Sequence, residues 1–160
     1  MNHIISTSQI PKLTSTFKKG GQRIVLVGGC FDVLHPGHVI FLQKAKKAGD
    51  ILVILLESDE KVKQLKGANR PVHNQKMRAK VLASLTSVDL VVKLPFMEED
   101  DQYDQLILKI KPDVIAATSG YPNINYHKRA ADLVGVKLIY VTKIIGNHST
   151  SKILSHSQGL

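Results

Sequence analysis

Short, unbroken apolar runs alternate along this chain with longer stretches of mixed polarity. Residues 23–28 (RIVLVG), Ile51–Leu56 (ILVILL), 89–93 (DLVVK), 113–117 (DVIAA) and 136–141 (VKLIYV) are brief and rich in β-branched side chains. They lack the polar alternation of a strand with one wet face, so they are expected to be buried on both faces, as parallel strands are. Between them, residues 37–48, 75–85, 102–110 and 126–134 carry helical spacing. In the first of these, Leu42 and Ala45 follow Val39 on one face, while Lys44 and Lys47 fall on another. Strand–helix alternation at this pitch predicts one α/β domain, doubly wound and Rossmann-like, around a five-stranded parallel sheet with right-handed crossovers.

Residues 1–20 are expected to form an arm or short helix leading into a domain spanning 21–155, with 156–160 a loose end. From residue 146 onward the pattern predicts a loop followed by a terminal helix. No internal repeat or low-complexity segment interrupts the chain. In open parallel sheets, ligands sit beyond the carboxyl ends of the strands near the point where strand order reverses. The turns after the first, fourth and fifth predicted strands are therefore where chemistry is expected.

The length of 160 residues suits one compact domain with a single core. The longest apolar run, Ile51–Leu56, is far too short to span a bilayer. The first thirteen residues show no basic stretch followed by an apolar core, so no secretory signal is expected. The single cysteine, Cys30, excludes an intrachain disulfide and an all-cysteine zinc site. Together these predict a soluble, cytoplasmic protein.

Charge changes the picture once it is divided. The net charge of +9 lies wholly in the first half, where residues 1–80 hold 14 basic and 5 acidic side chains against 8 of each in 81–160. Residues 61–80 contain Lys61, Lys63, Lys66, Arg70, Lys76, Arg78 and Lys80 and no acid. Such a patch concentrates anions, whether nucleic acid, a membrane surface or phosphorylated small molecules. Aromatic residues make up only 5% of the chain and form no stacking cluster, which speaks against nucleic acid.

The first predicted strand runs into GGCFDVLHPGH, residues 28–38, with a helix after it. Two histidines, His35 and His38, flank Pro36 and Gly37, a sequence that starts a helix and lets backbone approach a ligand closely. Amides at a helix start attract phosphate, and imidazoles beside them can donate further hydrogen bonds. Donors so placed suit a reaction in which negative charge grows on phosphoryl oxygens.

This string resembles the signature of the cytidylyltransferase-like nucleotidyltransferases, HxGH with a preceding (T/C)FD. The resemblance spans residues 18–153. KKGGQRIV, HPGHVIFLQKAKKAGD and LKGANRP are most similar to the adenylyltransferase half of the bifunctional heptose-phosphate enzyme. The same stretches are similar to archaeal FAD synthetase and, less closely, to glycerol-3-phosphate cytidylyltransferase. Members of the family transfer a nucleoside monophosphate from ATP or CTP to a phosphorylated acceptor and release pyrophosphate.

The resemblance implies further site residues. Lys66 and Arg78 match the lysine and arginine that hold the acceptor phosphate and the triphosphate, with Lys63 and Arg70 in reserve. Such fixed cations offset the repulsion between two polyanions. Gly29, Cys30, Phe31, Gly37, Gly120 and Tyr121 match nucleotide-binding positions, Cys30 contributing its backbone amide. Residues 147–153 (NHSTSKI) are similar to the family's serine- and threonine-rich helix start, so Ser149, Thr150 and Ser151 are expected to hold the β- and γ-phosphates. His3, His73, His127 and His156 have no metal-ligand spacing and are expected at the surface.

Two departures narrow the expectation. Residues 143–146 do not reproduce the Arg/Lys-Thr-Glu-Gly pattern of the glycerol-3-phosphate enzyme, which favours AMP over CMP transfer. After the fourth strand, Ala117 and Gly120 stand where the heptose enzyme has Lys and Asp, leaving nucleotide base and acceptor open.

The resemblance thus implies in-line AMP transfer from ATP to a heptose 1-phosphate-like acceptor. His35, His38, Lys66 and Arg78 would be its catalytic residues, with Mg²⁺ held mainly by nucleotide phosphates and no protein-ligated metal. A homodimer is expected, without nucleic-acid or membrane partners. The alternatives are CMP transfer to a polyol phosphate, FMN adenylylation, and a nucleotide-binding protein without catalysis.

Overall fold

A computed structural model describes residues 4–120 and 125–143. In chain order its elements are β1 (Ile4–Ser6), a 3-10 turn (Thr7–Gln9), α1 (Ile10–Lys19), β2 (Ile24–Gly29), α2 (Pro36–Lys46), β3 (Ile51–Leu56) and α3 (Asp59–Lys66). Then follow α4 (Gln75–Ala83), β4 (Leu90–Lys93), α5 (Asp100–Ile110), β5 (Val114–Ser119), α6 (Asn125–Val134) and β6 (Lys137–Lys143). The strands form one parallel sheet in the order β1-β4-β3-β2-β5-β6.

The sheet has six strands where five were expected. The extra one is β1, which pairs in parallel with β4 through Ile4, Ile5 and Ser6. Three residues are too few to display a period, and only tertiary pairing makes them a strand. Of the segment expected as an arm or short helix, Ile4–Ser6 join the sheet and Ile10–Lys19 form α1, which packs on the core.

Central β3 is buried at all six positions, as its unbroken apolar sequence predicts. Ile10 and Phe17 of α1, Leu106, Ile107 and Ile110 of α5, and Ala130 and Ala131 of α6 cover one face. Leu42 and Ala45 of α2, with Ala79 and Leu82 of α4, cover the other. At the amino edge, carboxylates cap the strands: Asp113 Oδ2 accepts from Ile24 N at 2.7 Å and Asp50 Oδ2 from Arg23 N at 2.7 Å. Chain order reverses between β2 and β5, so the carboxyl ends of these two strands bound the crevice in which the doubly wound fold binds ligands.

Candidate active site

The turn leaving β2 is built around a left-handed residue, Phe31, at φ 43°. Its ring is buried and lies 5.3 Å from the ring of His38, tilted by 54°. Gly29 makes room for it, since a Cβ there would stand 3.0 Å from Phe31 Cε2. His35 is extended (φ −138°, ψ 168°) and caps α2, with Pro36 as the first helical residue. His38 N donates to the His35 carbonyl at 2.9 Å, which closes the first helical turn. The two imidazoles are thereby stacked at 3.9 Å between centroids and 31° between planes. Burial, and secondarily the charge His35 can carry, lowers the pKa of His38 from 6.5 to about 4. His38 is accordingly neutral at physiological pH, a hydrogen-bonding group that adds no charge.

Asp32 braces this turn. Its carboxylate is buried and accepts from Arg70 Nε, from Val72 N at 2.8 Å and from His73 N at 3.3 Å. Both carboxylate oxygens are thus engaged, and Arg70 is tied to Asp32 through its Nε. Among the described residues no three His, Cys, Asp or Glu side chains converge as a metal cage.

Arg78 is placed differently from its expected role. Its side chain is fully buried, and its guanidinium donates to the carbonyls of His73 (3.0 Å), Cys30 and Glu57 (2.9 Å) and to Asp59 Oδ1 (2.8 Å). It ties the turn after β2 to the end of β3 and the start of α3, so it holds the site's shape from behind. The basic patch begins on helix α3, which Ser58 caps, its Oγ accepting from Lys61 N at 3.1 Å.

Lys66 is the exposed last residue of α3, and its charge lowers the pKa of the Cys30 thiol. Burial outweighs this, so the Cys30 pKa is raised overall. Gly37 sits between the paired histidines. Gly120 ends β5 with φ 89°, a torsion that favours glycine. Ala117 is buried in the sheet. Tyr121, Ser149, Thr150 and Ser151 lie outside the described residues. His127, expected at the surface, is half-buried, and burial lowers its pKa.

One cluster escaped the sequence-based reading. Tyr103 of α5 donates its hydroxyl to Glu57 Oε2 at 3.0 Å. The Lys61 ammonium stands 5.8 Å from the Tyr103 ring centroid and 6.0 Å from that of Phe96. Burial raises the Glu57 pKa, against the lowering effects of the Tyr103 hydrogen bond, Lys61 and Arg78. Burial, with the Glu57 carboxylate beside it, raises that of Tyr103 as well. The available signal was Glu57 itself, a carboxylate directly after an all-apolar strand on the ligand edge.

Three comparisons with known proteins agree with this geometry. The family model described as cytidylyltransferase-like matches residues 26–155. The bifunctional protein HldE of Wolinella succinogenes is 39% identical over 159 residues, covering 98% of this chain and 31% of its own. That of Helicobacter pylori is 40% identical over 148 residues, 91% of this chain and 30% of its own. The chain therefore spans about a third of the length of these relatives. A crystal structure of the lipopolysaccharide core biosynthesis protein from Thermoplasma volcanium superposes with a TM-score of 0.62 at 25% identity, covering 78% of this chain and 100% of that one. Pantoate-beta-alanine ligase from Francisella tularensis shares the fold, with a TM-score of 0.63 at 17% identity over 92% of this chain and 69% of its own.

Proposed function

The chain belongs to the cytidylyltransferase-like family, and from that membership we propose that it is a nucleotidyltransferase moving AMP from ATP to a phosphorylated sugar of the heptose 1-phosphate kind. The observation that carries this reading is the stacked His35–His38 pair at the start of α2, where the sheet's strand order reverses. Helix-start amides and two imidazoles there form a donor set suited to an α-phosphate. The likeness to HldE proteins supports a sugar phosphate as acceptor, and the Thermoplasma protein's description points the same way.

In the proposed reaction an acceptor phosphate oxygen attacks the α-phosphorus in line. The new P–O bond forms as the bond to the bridging oxygen breaks, and pyrophosphate leaves with that electron pair. His38, uncharged at pH 7, donates a hydrogen bond to the growing negative charge, and His35 acts beside it. Lys66 offsets the charge of the two polyanions from its place at the end of α3. The amides of Gly29, Cys30 and Phe31 border the α-phosphate, and Gly37 lets the helix start approach it. Gly120 and Tyr121 would border the nucleoside, and Ser149, Thr150 and Ser151 would receive the departing pyrophosphate. Arg78 acts as a positioning residue.

Mg²⁺ would come with the nucleotide, held mainly by its phosphate oxygens, and would offset their charge. Asp32, the acid of the turn after β2, accepts from Arg70, Val72 and His73 through its two oxygens. Pyrophosphate release measured with Mg²⁺ and either ATP or CTP, against heptose 1-phosphate, FMN, phosphopantetheine and glycerol 3-phosphate, tests the reading. Release that requires ATP and heptose 1-phosphate is expected. Release with CTP alone, or nucleotide binding without transfer to any acceptor, would replace it.

A further inference from the structure

The carboxyl edge of the sheet carries a second set of groups, on the face away from α2. β2 runs through the middle of a sheet covered on both sides, yet its Gly28 is exposed. The backbone there does not require glycine, because its torsion is not left-handed. A Cβ at Gly28 would meet only ordinary contacts, Leu55 O at 3.9 Å and Leu55 Cβ at 4.0 Å. The absent side chain leaves space over the central strand that the described residues do not fill.

Strand alternation puts Gly28 on the same face as Leu26, Leu55 and Glu57. Glu57 N donates to the Gly29 carbonyl at 3.2 Å, so the carboxylate stands at the rim of this opening. Oε2 of Glu57 accepts from Tyr103, whereas Oε1 has no hydrogen-bond partner among the described residues. Lys61 balances the carboxylate's charge without forming an ion pair with it. Phe96, 42% exposed, adds a second aromatic face.

We propose that Gly28, Glu57, Lys61, Phe96 and Tyr103 form the subsite for the sugar portion of the acceptor, with Glu57 as the residue that selects for hydroxyl groups. This inference rests on the transferase reading above and adds to it the residues that hold the acceptor's sugar. A partly desolvated carboxylate with an unused oxygen gains charge-assisted hydrogen bonds from vicinal hydroxyls. It discriminates against acceptors that cannot supply them, because its own polar group is then left unpaired. The rings of Tyr103 and Phe96 offer apolar faces to the C–H side of a sugar, and Lys61 attracts its phosphate. Nucleotide ribose carries vicinal hydroxyls too, so the test must separate the two sources.

Binding of heptose 1-phosphate, inorganic phosphate and MgATP to the full chain is measured by calorimetry for wild type, Glu57→Gln and Tyr103→Phe. Wild type is expected to bind heptose 1-phosphate at least tenfold more tightly than inorganic phosphate. Glu57→Gln is expected to lose that preference while keeping its MgATP affinity. Tyr103→Phe removes only a hydroxyl and is expected to lose part of the preference; it carries the test if the glutamine variant fails to fold. In turnover, the KM for heptose 1-phosphate should rise with little change in kcat. An unchanged sugar-phosphate affinity in both variants overturns the subsite, as does a loss confined to MgATP, which would assign Glu57 to ribose. A wild type that prefers heptose 1-phosphate but transfers nothing to it would sink the transferase reading and leave the subsite standing.

Discussion

Gly37 and His35 are in such close register that a Cβ at position 37 would stand 3.0 Å from both Cε1 and Nδ1 of the His35 ring. The glycine is therefore what allows the two imidazoles to stack at 3.9 Å. Within a helix, alanine is favoured over glycine by roughly 0.5–1 kcal/mol, so Gly37→Ala gains propensity while displacing His35. Turnover, read as pyrophosphate release, is expected to fall at least tenfold while the melting temperature stays within a few degrees. A variant with wild-type turnover would show that the histidine geometry is not used.

Arg78 predicts the opposite division between stability and activity. Its side chain is fully buried and serves four acceptors, so removing it leaves three carbonyls and Asp59 without their donor. Arg78→Ala should cost about 3 kcal/mol in urea unfolding, the lower end for breaking a buried pair because Asp59 is itself 39% exposed. Arg78→Lys should recover little of this, since one ammonium cannot reproduce a planar fork. Lys66→Ala, at an exposed helix end, should leave the unfolding midpoint unchanged and raise the KM for acceptor or nucleotide.

How much of this was legible depends on how far each signal reaches along the chain. The buried strands declared themselves because six consecutive apolar residues such as Ile51–Leu56 fit only a two-sided core. The His35–His38 turn was legible because glycine, proline and histidine at that spacing have few other uses. Ile4–Ser6 could not be read as a strand, since its partner Val91 is far away in sequence and three residues carry no period. Arg78 and Lys66 looked alike as basic residues, and only the fold separates a guanidinium enclosed by carbonyls from an ammonium at the surface. The Glu57–Tyr103 pair links residues 46 apart, a relation that local patterning does not contain.

The edge strand gives a direct test of that missed pairing. Ile5 is 2% exposed and packs into the cluster under α1 and α5. Ile5→Ala should destabilise the domain by about 2–4 kcal/mol, the usual cost of emptying a well-packed aliphatic site. An effect below 0.5 kcal/mol, in the range ordinary surface substitutions produce, would mean that β1 contributes nothing to the sheet.

Cys30 reports on Lys66. Burial raises the thiol's pKa and the lysine's charge lowers it, so alkylation by iodoacetamide near pH 8 should be slow. Lys66→Ala removes the lowering effect, and labelling should slow further. MgATP should protect the thiol in wild type. Faster labelling in Lys66→Ala would mean that the lysine shields Cys30 sterically instead of tuning its charge.

The lowered pKa of His38 has a consequence for stability whose sign is fixed. Folded, the imidazole titrates near 4; unfolded, near 6.5. Between those values the unfolded chain binds a proton that the folded chain does not, so this residue removes stability as pH falls through the window and has no effect above it. The loss over the full window is on the order of 3 kcal/mol. His38→Asn retains a polar side chain but cannot titrate. Urea unfolding at pH 7.5 and pH 5 should therefore show wild type losing more stability on acidification than the variant does. Equal losses in the two proteins would mean that His38 is as well solvated in the folded chain as in the unfolded one, and the neutral hydrogen-bond donor assigned to it in phosphoryl transfer would lose its physical basis.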